Sequence, residues 1–196
     1  MLEWILALDE SLFLFFNSTI HNRIFDAWFV AVTNGRFWII PGVVIGAAYL
    51  KNGKKQAAIN IVLIIVAMSL SDLLGHRVLK PLFGRLRPCH PDFLIEGARY
   101  LIGHKRTLSF PSNHAMNSFA VSSMLILLHP RHFGWFLFVG GSVAFSRVYV
   151  GVHYPLDIFV GAIVGSGVGI GVYYTCKCIC IKVQQNRRIK RQGSGD

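Results

Sequence analysis

Apolar stretches almost as long as a bilayer is thick limit this chain more than any other feature. Gln56 to Leu79 runs for 24 residues with Asp72, His76 and Arg77 as its only ionisable groups, and His114–Leu128, Phe133–Gly151 and Pro155–Thr175 are similarly apolar. A helix rises about 1.5 Å per residue, so roughly 20 such residues cross a hydrocarbon core of about 30 Å. Only 15% of the residues are charged, against about 25% in a soluble domain. The expected fold is therefore all-α: an integral membrane helical bundle of about five transmembrane helices, six possible, forming one domain over residues 1–192.

The N-terminal third is harder to divide. Leu2 to Phe16 is apolar but short, and Asp9 and Glu10 interrupt it; it reads as an amphipathic helix lying in the interface. The first residues are acidic where a cleavable signal would be basic, so no signal peptide is expected. Phe37 to Leu50 has 14 apolar residues, a length of about 21 Å, too short to cross alone. Residues from the run Phe25–Thr33 must join it, and whether these segments make one span or two stays open. Pro81 to Asn113 is a polar connection of 33 residues, expected to contain short helical pieces; loops of that length usually carry function. The terminal Gly193–Asp196 (GSGD) reads as a cloning remnant and is set apart from the fold.

The net charge is +11, yet the basic residues occupy loops such as Lys51–Lys55 and the tail Lys177–Arg191, not a continuous soluble face. Anionic headgroups and the bilayer suit them as partners; nucleic acid does not. Both sides of the expected bundle are basic, so charge bias alone does not orient it. The long connection is assigned to the outside because several of its cations belong to a candidate anion site, which leaves the tail inside. Cys89 then lies across the membrane from Cys176, Cys178 and Cys180, and no disulfide framework is expected. No metal-ligand spacing stands out, and neither metal nor cofactor is expected.

Three polar runs border the apolar segments: Lys80 to Pro88 (KPLFGRLRP), Pro111 to His114 (PSNH) and Ser146 to Asp157 (SRVYVGVHYPLD). Ser112, Asn113 and His114 fall where a loop enters a helix, and free N–H groups there make a natural anion seat. Taken alone, Ser112 is equally a plain helix cap. Pro155 marks the start of the last helix, which puts His153 just before it and Asp157 in its first turn. A carboxylate on one ring nitrogen fixes the tautomer and leaves the other as a nucleophile. Arg147, Arg87 and Lys80 supply cations for a phosphoryl group, whose charge spreads over several oxygens. A single arginine or histidine at a membrane edge is more often an anchor; so many together at segment ends ask for one use.

The patterns Lys-x6-Arg-Pro, Pro-Ser-x-His and Ser-Arg-x5-His-x3-Asp resemble the three signatures of the type 2 phosphatidic acid phosphatase family, which also includes the vanadium-dependent haloperoxidases. The resemblance covers Lys80 to Asp157. It implies that His153 is the nucleophile forming a phosphohistidine, that Asp157 orients it, and that His114 is the general acid. It further implies that Lys80, Arg87, Ser112, Arg147 and the Asn113 backbone N–H bind phosphate. Asn113 stands where the family usually has Gly; the backbone donor survives, and the added side chain is a candidate contact to substrate. The implied activity is hydrolysis of a phosphorylated membrane lipid substrate at the outer face of a bacterial inner membrane. Undecaprenyl diphosphate, lipid A 1-phosphate, phosphatidylglycerol phosphate and phosphatidic acid are the candidates. Transfer of the phosphoryl to another lipid uses the same nucleophile, and a non-catalytic phospholipid-binding protein is a third reading. Oligomeric state is not legible.

Two further patterns carry expectations. Asp72, His76 and Lys80 recur every four residues on one helical face, and contacts within the bundle explain them better than an orienting role for Lys80. Gly161, Gly165 and Gly169 should mark close helix packing.

Overall fold

Turns, caps and breaks between the apolar segments divide the described chain into eight α-helices. The computed structural model describes residues 2–52 and 54–192; the terminal GSGD lies outside them. Helix α1 (Leu2–Leu14) runs into a π-helical turn, Phe15–Thr19, whose Asn17 is fully buried. The Asn17 amide donates to the carbonyls of Arg99, at 2.8 Å, and Tyr149, at 2.7 Å, while its oxygen accepts from Arg99 N at 2.6 Å. That one side chain ties the N-terminal segment to the long loop and to the end of a later helix.

Helix α2 (Arg23–Thr33) is capped by Asn22, whose side chain accepts from Phe25 N. Asn34 closes it in extended conformation and its side chain caps the following turn at Arg36 N, before α3 (Ile39–Asn52) begins. The axes of Arg23–Thr33 and Gly35–Lys51 differ by 75°. The upstream run is thus contiguous with Phe37–Leu50 as a bent pair and not as a straight helix, because Asn34 satisfies both helix ends at the break.

Helix α4 (Lys54–Leu74) continues through a π-helical turn, Gly75–Leu79, into the short α5 (Lys80–Phe83). Gly84, at φ 61°, then terminates it in the left-handed region. The connection that follows departs from expectation only in part. The short α5 supplies one helical piece at its start, as expected, but its middle is a two-stranded antiparallel ribbon, β1 (Cys89–His90) against β2 (Phe93–Leu94). Pro88 and Pro91 explain this, since neither can donate the N–H that a helix there would need.

Helices α6 (Asn113–Leu128), α7 (Phe133–Tyr149) and α8 (Pro155–Gln192) follow, so the last helix continues past Thr175 through the basic tail. Lys55–Phe83, with 29 residues, and Pro155–Lys182, with 28, are long and apolar enough to cross a membrane; the bent α2–α3 pair makes a third only if counted as one broken span. Helices α6 and α7, with 16 and 17 residues, are shorter, about 24–26 Å. Helix α6 packs on α8, α7 and α4 and so sits inside the bundle, whereas α7 turns Phe133, Trp135, Leu137 and Phe138 outward. Outward faces carry large apolar side chains such as Ile40, Val43, Ile45, Ile59 and Ile163, as lipid-facing helices do. The protein is an all-α integral membrane bundle.

Close approach of α8 to α6 depends on glycine. A Cβ at Gly165 would overlap the Met116 carbonyl, one at Gly161 would lie 2.9 Å from the Ser112 carbonyl, and one at Gly169 would overlap that of Ala120. The small-residue stripe read from the sequence is thus a contact surface, and its first member touches the backbone of the candidate site. All four cysteines are free thiols.

Candidate active site

Backbone contacts bring the three polar runs together before any side chain is considered. Ser112 N donates to the Asp157 carbonyl at 3.0 Å, joining the second run to the third. His153 N and Val152 N both donate to the Arg147 carbonyl, at 3.2 and 3.1 Å, folding the third run onto itself. Gly151, at φ 87°, makes the turn, and a Cβ there would overlap the Arg99 carbonyl. The first run enters through its cations.

His153 and Asp157 meet as their spacing across the start of α8 requires. Nδ1 of His153 lies 3.1 Å from Asp157 Oδ2, and both residues are buried. Asp157 Oδ2 also accepts from Tyr154 N at 3.0 Å and from the Ser109 hydroxyl, while Oδ1 accepts from Arg85 Nη1 at 3.0 Å. Nδ1–H therefore faces the carboxylate, and Nε2 presents its lone pair on the opposite side. There Arg87 Nη1 donates to Nε2 at 2.8 Å and to the Val152 carbonyl at 3.0 Å. Burial above all, then the positive charges of Arg87, Arg147 and Lys80, hold the His153 imidazole well below the usual histidine range. It is neutral at neutral pH, the form in which Nε2 can attack an electrophile.

The remaining cations are placed differently from one another. Arg87 Nε donates to the Thr107 carbonyl at 3.1 Å and to its hydroxyl at 3.0 Å, which fixes the guanidinium plane. Arg147 is buried, donates to the Thr33 hydroxyl, and keeps Nε without a partner among the described residues. Lys80 Nζ donates to the carbonyls of Leu108, Ser109 and Pro111 at 3.0, 3.1 and 3.0 Å. All three of its N–H groups are thus used to shape the loop that delivers Ser109 and Ser112. A direct bond from Lys80 to an anion requires giving one of these up; otherwise its charge acts through space.

The second run is the open part. Ser112 is fully buried, precedes α6, and its hydroxyl has no partner among the described residues. Its hydroxyl does not cap the helix, which leaves it available as a donor. His114, in the first turn of α6, is exposed. Asn113 turns its side chain away toward α4, donating to Asp72 Oδ1 at 2.9 Å and to the Asp72 carbonyl at 3.2 Å. Asn117 also donates to Asp72, at 3.2 Å. Asp72 therefore holds α4 to α6, in keeping with the packing role expected for it. Among the described residues no non-glycine residue has positive φ, so Asn113 sits in place of a glycine without backbone strain.

The structure adds residues that the sequence reading did not single out. Arg85, within the first run, bridges Asp157 and Asp9, reaching Asp9 Oδ2 at 2.7 Å, and it lies 3.9 Å from the Tyr154 ring centroid. Ser109 touches both His153 Nδ1, at 3.2 Å, and Asp157. Thr107 and Thr33 hold the two arginines. Of these, Asp9 had a visible signal: a carboxylate inside an apolar helix usually has a buried partner.

The PAP2 superfamily model matches residues 60–177, more than half of the chain. A lipid A 4′-phosphatase of Bacteroides thetaiotaomicron is 32% identical over the whole of this chain and 88% of its own length. An undecaprenyl-diphosphatase of Bacillus subtilis is 29% identical over 76% of this chain and 74% of its own. Among solved structures, Aquifex aeolicus LpxE superposes with a TM-score of 0.65 at 26% identity, covering 85% of this chain and 95% of that one. A Bacillus subtilis transmembrane PAP2-type phosphatidylglycerolphosphate phosphatase gives a TM-score of 0.65 at 22% identity, over 89% of this chain and 87% of that one. The second likeness is one of fold.

Proposed function

The chain belongs to the PAP2 superfamily, and from that premise we propose that it is a membrane lipid phosphatase working through a phosphohistidine on His153. The observation that carries the reading is the position of the His153 ring. Nδ1 is held by a carboxylate with four donors around it, and Nε2 faces Arg87. A phosphate drawn to Arg87 arrives beside the nucleophilic lone pair.

The steps balance on this chain's own residues. Nε2 of His153 attacks phosphorus, the bond to the lipid oxygen breaks, and His114, which takes up its proton once the phosphate's negative charge offsets the neighbouring cations, gives that proton to the leaving oxygen. Water then attacks the phosphohistidine, giving a proton to His114 as the N–P bond breaks, and inorganic phosphate leaves. Arg87, Arg147, Ser112 and the Asn113 backbone N–H take the charge on the equatorial oxygens, with Lys80 adding positive potential from beneath the loop. The cations take the charge-neutralising part that a divalent ion plays elsewhere, so the reaction is expected to run without added metal.

A lipid substrate fits the surroundings. A cavity of about 350 Å³ is bordered by Asp72, Leu73 and Asn117, and Asp72 is the residue to which the Asn113 side chain of the second run donates. Leu73 also lines an apolar groove of about 730 Å³ between α4 and α8, with aliphatic walls formed by Val66, Leu70, Val78, Val168 and Val172. A headgroup at the site and a hydrocarbon tail along that groove suit one amphiphile. The relative similar along the whole chain is named for lipid A 4′-phosphate; that lipid therefore heads the candidates, ahead of the 1-phosphate, undecaprenyl diphosphate, phosphatidylglycerol phosphate and phosphatidic acid. We place the site at the extracytoplasmic face of the inner membrane, with the basic C-terminal part of α8 inside.

The test is phosphate release by the purified chain across these lipids, with chelator present, for wild type and His153→Ala. Release by wild type and its loss in the variant by about 10⁴-fold or more is expected. Undiminished turnover by His153→Ala, or full dependence on a divalent ion, overturns the reading. Release only when a second lipid is present, with phosphate appearing on that lipid, reassigns the enzyme as a transferase.

A further inference from the structure

Helix α1 contributes a charge to the machinery from outside the three signature runs. Asp9 is only 5% exposed although its neighbours Trp4, Leu8 and Leu12 face outward. Both of its oxygens are committed. Oδ2 accepts from Arg85 Nη2 at 2.7 Å, and Oδ1 accepts from Leu156 N at 2.8 Å, one of the free N–H groups in the first turn of α8. Arg85 passes the contact on: Nη1 donates to Asp157 Oδ1 at 3.0 Å, and the guanidinium stacks on Tyr154. Asp157 then holds His153.

The electrostatics explain why Asp9 matters to a residue it does not touch. Asp157 must stay strongly negative to keep Nδ1–H and to stabilise the positive ring that forms when Nε2 takes a phosphoryl. Arg85 alone, paired one to one with Asp157, would offset that charge. With Asp9 on its other nitrogen, Arg85 is shared between two carboxylates, and the trio carries one net negative charge. Asp9 also fixes where Arg85 lies, because the arginine is gripped at both nitrogens, and it anchors α8 at the residue before Asp157.

We propose that Asp9 is a positioning residue, which sets the place and the charge balance of the Arg85–Asp157 pair and through it the reactivity of His153. The proposal rests on the reading of His153 as nucleophile. It makes α1 a part of the enzyme and not merely an interfacial attachment.

Asp9→Asn tests it, since the amide keeps the shape and an oxygen for Leu156 N but loses the ion pair with Arg85. Turnover is measured on 4′-phosphorylated lipid A and dioctanoyl phosphatidic acid, using whichever wild type cleaves faster. The expected result is a kcat lower by about 10- to 100-fold, as for a modest misplacement of reacting groups, with KM within about twofold. In an Arg85→Gln background the same substitution should cost less than about twofold, because its route to the site is already cut. Wild-type kcat in Asp9→Asn, or an equal loss in both backgrounds, overturns the proposal. If Asp9→Asn does not fold, Arg85→Gln decides alone: lower kcat at unchanged KM supports it, and wild-type kcat overturns it. Active His153→Ala would instead sink the nucleophile itself; inactive His153→Ala beside unaffected Asp9→Asn sinks only the role of Asp9.

Discussion

The two ends of the site are built in opposite ways. At the start of α8, His153 and Asp157 are buried and bonded on every side, to Ser109, Arg85, Arg87 and the Tyr154 N–H. At the start of α6, the Ser112 hydroxyl lacks a partner among the described residues and His114 is exposed. The proposed nucleophile would gain from a fixed tautomer and direction, which the groups around His153 supply. Donors meant for a ligand must keep bonds to give, and an unpaired buried hydroxyl is the mark they leave. Rigidity and openness are thus divided between two helix starts joined by the Ser112 N to Asp157 carbonyl bond.

The sharpest way to break this comparison is to vary the leaving group. His153→Ala should abolish turnover of a lipid phosphate and of an activated aryl phosphate alike, since both need the same nucleophile. His114→Ala should cost about 10²–10⁴-fold on the lipid, whose alkoxide needs a proton. On nitrophenyl phosphate it should cost less than about tenfold, because that oxygen leaves without one. Equal losses on both substrates in His114→Ala would remove His114 from the role of acid.

Much of this arrangement was legible in the sequence, for identifiable reasons. Apolar length alone marks α4, α6, α7 and α8, and the spacing of Pro155 to His153 and Asp157 is local, so it survives folding unchanged. What could not be read depends on distant contacts. The 75° bend before α3 follows from Asn34 serving two helix ends at once. The ribbon at Cys89–Leu94 reflects two prolines inside a loop otherwise free to take many forms. Nothing local shows that three carbonyls of the 108–111 loop close around Lys80, so the bonds it already makes beside its expected phosphate role were not legible. Asp9 and Arg85 are 76 residues apart, and no pattern in either segment names the other.

A smaller effect is expected from pH, and it probes the buried end. Burial and three cations hold the His153 imidazole below its ordinary pKa, about 6.5. Protonation would remove the Nε2 lone pair, so activity falls as pH drops through the folded value and not through about 6.5. After allowance for the second ionisation of the substrate phosphate, near about 6, kcat/KM on an aryl phosphate should stay level from about pH 7 to below about 6. An acid limb centred on about 6.5 that persists in His114→Ala would show the His153 ring to be as solvated as a free histidine.

The smallest expected change lies at the open end, in Asn113→Gly. The Asn113 side chain points to Asp72, away from the run that holds Ser112, and only its backbone N–H belongs to the proposed phosphate seat. Glycine keeps that N–H, so kcat should remain within about threefold, the scale of a lost peripheral contact. Stability is a separate matter. Asp72 would keep Asn117 but lose its shorter bond, and glycine at the first helical position adds backbone freedom to the unfolded chain. Together these cost on the order of 1–2 kcal/mol, read as a lower thermal midpoint in detergent. The two readouts should therefore part company, with stability falling while turnover holds. A loss of kcat beyond about tenfold with an unchanged midpoint would mean that Asn113 reaches the substrate, and that the open end is more crowded than its unpaired serine suggests.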